Sequence, residues 1–176
     1  MHKPGCWRWW LLALILAWVW AAGCGYRPLG TEPKLRESRP TLAIPLFANR
    51  STEIGLEAIM ANALIQAVTQ SGMARVTPKV EDADLVLEGR VYSVENTSVA
   101  FFSITQSLVR RVTIRVELVL RKRPEGKIIW KDTVTIQEDY VVDPNYHIGE
   151  TLRAASLRRA AVNMARRTLD KLMMII

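Results

Sequence analysis

The chain is short of the residues that carry most enzyme chemistry. Histidine occurs twice, at His2 and His147, and cysteine twice, at Cys6 and Cys24. A lone histidine in the Pro/Asn-rich stretch around His147 reads as a surface residue, and no Ser/His/Asp set can be assembled around it. No glycine-rich phosphate loop is present. The carboxylates of Glu81-Asp82-Ala83-Asp84 lack the alternating oxygens and closing glutamate of a calcium loop, so no metal site is expected. No apolar run is long enough for a comfortable bilayer crossing, which takes about 20 residues. Tryptophan is concentrated before residue 21, and only Trp130 lies beyond it. These absences point to a protein that is not an enzyme and has no catalytic residues.

What is present begins at Cys24. Lys3 and Arg8 precede the apolar run Trp9 to Trp20, and Ala21-Ala22-Gly23 leads into the cysteine. A charged start, a short apolar centre and small residues at a cleavage point form an export signal. A cysteine directly after the small residues makes it a lipoprotein signal, 1–23, with Cys24 as the lipid attachment site. A diacylglyceryl group on its thiol and an acyl group on its new amino terminus are the only cofactors expected. Several chains anchor durably where one binds marginally. The rival reading is an ordinary signal peptide or a transmembrane anchor. Cys6 leaves with the signal, so the mature chain can form no internal disulfide. Removing Lys3 and Arg8 lowers the formal charge from +7 to +5. A modest positive excess after export suits anionic partners such as lipid phosphates, with no role for nucleic acid. Plain solubility charge explains it equally well.

Residues 24–40 form a lipidated tether broken by Pro28, Gly30, Pro33 and Pro40. Residues 41–176 are one domain. Thr41 to Phe47 reads as a first strand, with Pro45 marking an edge or bulge. Ser51 or Thr52 can cap a helix whose stripe is Leu56, Met60, Ala63, Leu64, Ala67 and Val68, closed by Gly72. Asp84–Val94, Val109–Leu120 and Lys127–Glu138 alternate as strands, with Pro124 and Gly126 in a tight connection. A long helix from Glu150 buries Leu157, Ala161, Met164, Ala165, Thr168, Leu172 and Ile176. The expected fold is α+β: a β-α-β-β-β-α two-layer sandwich with both helices on one face of a four-stranded mixed sheet. The crossover rule makes the first two strands parallel, and leaves open whether they are neighbours.

Two surfaces are candidates for contact. Arg110, Arg111, Arg115, Lys127 and Lys131 surround one hairpin, and guanidinium forks match phosphate oxygens. They are candidates for an anionic lipid, or a charged solvent face. Asn96 to Ser107 reads as a loop carrying Val99, Phe101, Phe102 and Ile104. Phe101 and Phe102 are candidates for partner contact, or they fold back on the core.

Cys24-Gly25-Tyr26-Arg27-Pro28-Leu29-Gly30, Ile44 to Ser51, Ala83 to Gly89 and Gly126-Lys127-Ile128-Ile129-Trp130, followed by a basic C-terminal helix, together resemble the LptE-type lipopolysaccharide-assembly lipoproteins. The resemblance implies the same β-α-β-β-β-α sandwich, anchored to the outer membrane on its periplasmic side. It implies an LptD-type outer-membrane β-barrel as one-to-one partner, which the lipoprotein plugs and helps assemble. It also implies binding of lipopolysaccharide for delivery to the cell surface, and the five basic residues above are candidates for that contact on charge alone. A strand ending in Phe47-x-Asn49 before a helix also looks like lipoprotein regulators of peptidoglycan synthases and like TolB-type interaction modules. Those relatives imply neither barrel nor glycolipid.

Overall fold

Alternating Val112, Ile114, Val116, Leu118 and Leu120 give the fold its centre, and all five are fully buried. The computed structural model describes residues 39–103 and 106–176, without the side chains of 102–107. The signal, Cys24 and most of the tether lie outside the described residues. The elements are β1 (Thr41–Ala43), β2 (Ala48–Asn49), α1 (Leu56–Ser71), β3 (Arg75–Thr77), β4 (Leu85–Ser103), β5 (Gln106–Lys122), β6 (Lys127–Val141) and α2 (Tyr146–Leu172), with a 3-10 turn at Val80–Asp82.

One mixed sheet runs β3-β1-β4-β5-β6, with β2 also paired to β4. β1 lies parallel to β3 on one side and to β4 on the other. The first strand and the strand after the helix are therefore direct neighbours. β4, β5 and β6 form an antiparallel meander. Both helices cover one face, and their stripes share a single core with the inward residues of the strands.

The sheet has six strands rather than the expected four. Two departures account for this. The chain leaves the ladder over Ile44–Phe47, around Pro45, so the first strand splits into β1 and β2. Arg75–Thr77, too short to show a period, adds a parallel edge strand beside β1. The stretch expected to be a loop, Asn96–Ser107, is also corrected: β4 continues to Ser103 and β5 starts at Gln106. Thr97, Ser98 and Val99 are exposed there, so no apolar alternation marks the strand. α1 starts at Leu56, behind Gly55 at φ +84, rather than from a Ser51 or Thr52 cap. Asn49 organises that entry instead: its side-chain oxygen accepts from the Ser51 amide, and its Nδ2 donates to the Glu53 carbonyl and the Glu57 carboxylate. α2 starts earlier than expected, at Tyr146, because the Asn145 side chain accepts the His147 amide at 3.1 Å. It ends at Leu172, so Ile176, expected on its buried face, lies past the helix and is exposed.

The chain break between β1 and β2 has a packing purpose. It drops Phe47 into the core, 3% exposed, across Gly89 of β4. A second, small apolar cluster forms on the opposite face, where Val80 packs over Ala43, Ala83 and Val86. Beyond that patch, no helix of the described residues packs on the second face of the sheet.

Candidate functional site

The open face is built by strand parity. On β5 it presents Arg111, Thr113, Arg115, Glu117 and Val119, and on β6 Lys131, Thr133, Thr135, Gln137 and Asp139. On β4 it presents Tyr92, and a register change between Val91 and Ser93 turns Ser93 out beside it. The result is a surface of hydroxyls and charges. Among the described residues, no three His, Cys, Asp or Glu side chains are placed to hold a metal ion. His147 is exposed and stacks edge-on against Tyr146.

The charges on this face are mostly bound to one another. Arg111 donates to both carboxylate oxygens of Asp139, at 2.7 and 2.9 Å. That bond holds the Asp139 carboxyl below its ordinary range and raises the Arg111 guanidinium above its own. Lys131 contacts Glu117 at 2.6 Å, and the Tyr92 hydroxyl donates to the same carboxylate at 3.1 Å. Lys131 is the main reason the Glu117 carboxyl titrates low, with Tyr92 adding to it. Arg50 lies over the Tyr92 ring, 5.8 Å from its centre.

The five basic candidates therefore do not act as one patch. Arg111, Arg115 and Lys131 share the open face. Arg111 and Lys131 are engaged, while Arg115 stands exposed between Ser93 and Thr135 with no ion-pair partner among the described residues. Arg110 points the other way. It lines a cleft of about 300 Å³ at the start of α2, with Asn96, Tyr140, Asp143, Glu150 and Arg153. Lys127 is exposed beside the β5–β6 turn, opposite Lys122. Phe101 is 60% exposed near the tip of the β4–β5 hairpin. The side chain of Phe102 lies outside the described residues. Tyr92 and Glu117, which join β4 to β5 and β6, were not among the expected site residues; alternation puts Tyr92 with Glu88 and Arg90, and Glu117 with Arg115, on the polar faces of their strands, and the β4–β5 register brings the two together.

The bound carboxylates set an acid limit. Asp84 is held low chiefly by the Thr41 hydroxyl at 2.6 Å, then by the Thr41 amide at 2.8 Å. Glu117 and Asp139 are lowered too, from ordinary values of 4.5 and 3.8. Carboxylates lowered by folding stabilise the fold fully above those ordinary values, and that contribution fades as pH falls through the folded ones. Thermal unfolding followed against pH should show stability flat above about pH 5 and falling below about pH 4. A melting temperature that rises on acidification through this window would remove the stabilising role of these bonds.

A protein-family model described as LptE, Lipopolysaccharide-assembly, matches residues 39–172. No curated protein matches the chain. Among solved structures, the chain is similar to a putative lipoprotein from Caulobacter crescentus CB15, with TM-score 0.55 and 14% identity over 76% of this chain and 89% of that one. It is similar to the hypothetical protein CT253 from Chlamydia trachomatis, with TM-score 0.56 and 9% identity over 78% and 98%. It is also similar to the rare lipoprotein B from Shewanella oneidensis, with TM-score 0.54 and 14% identity over 76% and 94%. At these identities the structural likeness is one of fold.

Proposed function

The chain belongs to the LptE lipopolysaccharide-assembly family, and from that premise we propose that it is a non-catalytic outer-membrane lipoprotein that plugs and helps assemble an LptD-type β-barrel. Cys24 carries the lipid and holds the domain on the periplasmic side. In this reading the domain also binds lipopolysaccharide on its way to the cell surface. The single observation that carries the proposal is the family match across residues 39–172.

A barrel wide enough to pass a glycolipid has a polar, water-filled interior. A domain with one face covered by helices and the other hydroxylated, with most of its charges already paired, can fill such a lumen at little cost in buried unpaired charge. Among the five basic candidates, Arg115 is the open-face cation with a guanidinium left for a phosphate oxygen, and it is the residue to which we assign glycolipid contact first. Arg111 and Lys131 shape that face through Asp139 and Glu117. Exposed Val99 and Phe101 give the hairpin an apolar tip for the barrel wall.

Native purification of the full chain from membranes should recover a large barrel at a one-to-one ratio. Recovery of a penicillin-binding synthase in its place would favour the regulator reading and overturn this one. Arg115→Glu should weaken lipopolysaccharide binding about tenfold, the scale of one lost charge-assisted hydrogen bond. The same variant should keep its barrel, and unchanged glycolipid affinity would remove the role given to Arg115.

A further inference from the structure

Sheet edges invite strand addition, and this fold treats its edges unequally. β3 is only three residues long. β6 is long but guarded. The Val142 amide donates to the Leu108 carbonyl at 2.9 Å. This phase makes the even-numbered residues of β6 the bonded partners of β5 and turns the odd-numbered peptide groups outward. α2 takes up two of those outward carbonyls: Arg159 donates to Asp139 at 3.0 Å, and Arg167 to Thr135 at 3.4 Å.

β4 has no such guard. β1 and β2 cover its outer side only as far as Val91. Beyond the bulge, Ser93 to Ser98 run in unbroken register against β5. The same phase turns the amides and carbonyls of Val94, Asn96 and Ser98 to the outer edge. No described residue bonds to them. Glu95 is the only charge in the stretch.

We propose that this edge is a strand-addition site whose occupant is a second copy of the chain, paired antiparallel about a two-fold axis. The register is self-complementary. With Asn96 opposite its own mate, Val94 stands opposite Ser98, and each pair exchanges both of its backbone bonds. Glu95 then faces Thr97, so like charges do not meet. The added strand continues the row that β2 begins. It carries Val99 and Phe101 of one copy toward the β2–α1 loop of the other, where Ile54 is 99% exposed. An isologous contact of this kind closes at two copies. The inference does not rest on the barrel reading: Val99 and Phe101 serve one contact at a time, so the dimer is the state of the chain apart from any barrel.

Sedimentation of the purified full chain over a range of concentrations, with amide exchange by residue, tests it. The expected result is a monomer–dimer equilibrium, with slowed exchange at Val94, Asn96 and Ser98 as the dimer fills. Asn96→Pro removes an outward donor without touching the β4–β5 ladder, so it should weaken the dimer at least tenfold. Ile54→Asp changes a side chain that is almost fully exposed in the monomer, and should weaken the dimer while leaving the melting temperature in place at concentrations where the parent is monomeric. A chain that stays monomeric at every concentration overturns the proposal. So does a dimer that Ile54→Asp leaves as strong as the parent, or one that forms without protecting these amides. Protection of the edge only when another polypeptide co-purifies assigns the site to that polypeptide and also overturns it.

Discussion

Replacing Gly89 by alanine should cost about 3 kcal/mol, the upper end of what overpacking a core usually costs. An added Cβ would fall 2.3 to 2.4 Å from three carbons of the Phe47 ring. Neither partner can step aside easily. Gly89 lies in β4 between its partners in β2 and β5, and Phe47 is fixed between β1 and β2. In a domain of this size the loss should lower the melting temperature by roughly 10 °C. A double-mutant cycle separates a clash from a general weakness of the strand. Phe47→Leu shortens the ring, so it should recover part of the loss caused by Gly89→Ala. If the two substitutions add without coupling, the glycine is not there to admit Phe47. Gly89 belongs to the alternating face Leu85, Leu87, Gly89 and Val91, where a residue without a side chain breaks the apolar row. Its reason lies about forty residues away in the chain, in the segment that Pro45 interrupts.

The second large effect concerns Cys24. In the proposed function, Cys24→Ser leaves no thiol for the diacylglyceryl group, and the acyl chains disappear together. Because stable anchoring needs more than one chain, membrane attachment should be lost outright rather than weakened. Intact-mass measurement should show no lipid on the variant, and fractionation should move it from membrane to soluble periplasmic material. The domain at 39–176 should unfold at the parent's temperature, since the core described for it is built from residues between Leu42 and Leu172. A parent protein that carries no acyl mass, or a Cys24→Ser variant that stays in the membrane fraction, would end the lipoprotein reading.

The parts of the fold that were legible in the sequence are those whose two faces meet different surroundings. Val112 to Leu120 alternates because one side meets helices and the other meets solvent. The α1 and α2 stripes are legible for the same reason. Where both sides meet solvent the signal fades, so the outer half of β4 passed for a loop. β3 left no trace, because three residues cannot show a period. Arg110 and Arg111 were grouped by adjacency, yet neighbours on a strand point to opposite faces. Arg110 shares the parity of Val112 and Ile114, which already placed it on the helix side. The engagement of Arg111 by Asp139 was out of reach, because it depends on the β5–β6 register. A basic count cannot tell a free guanidinium from a committed one. Only Arg115 among the open-face arginines and lysines first considered remains uncommitted in that sense.

The place where the tether joins the domain has a mechanical consequence. Arg39 and Pro40 lead directly into β1, which is the inner strand of the parallel set, flanked by β3 and β4. Thr41 and Asp84 clasp each other there, the Asp84 amide donating back to the Thr41 hydroxyl at 2.8 Å. Tension arriving along the chain from the N-terminal side would load the ladders on both flanks of β1 in shear. Their bonds would have to give way together rather than peel one at a time, so a domain hauled by its own leash should resist at the point of attachment.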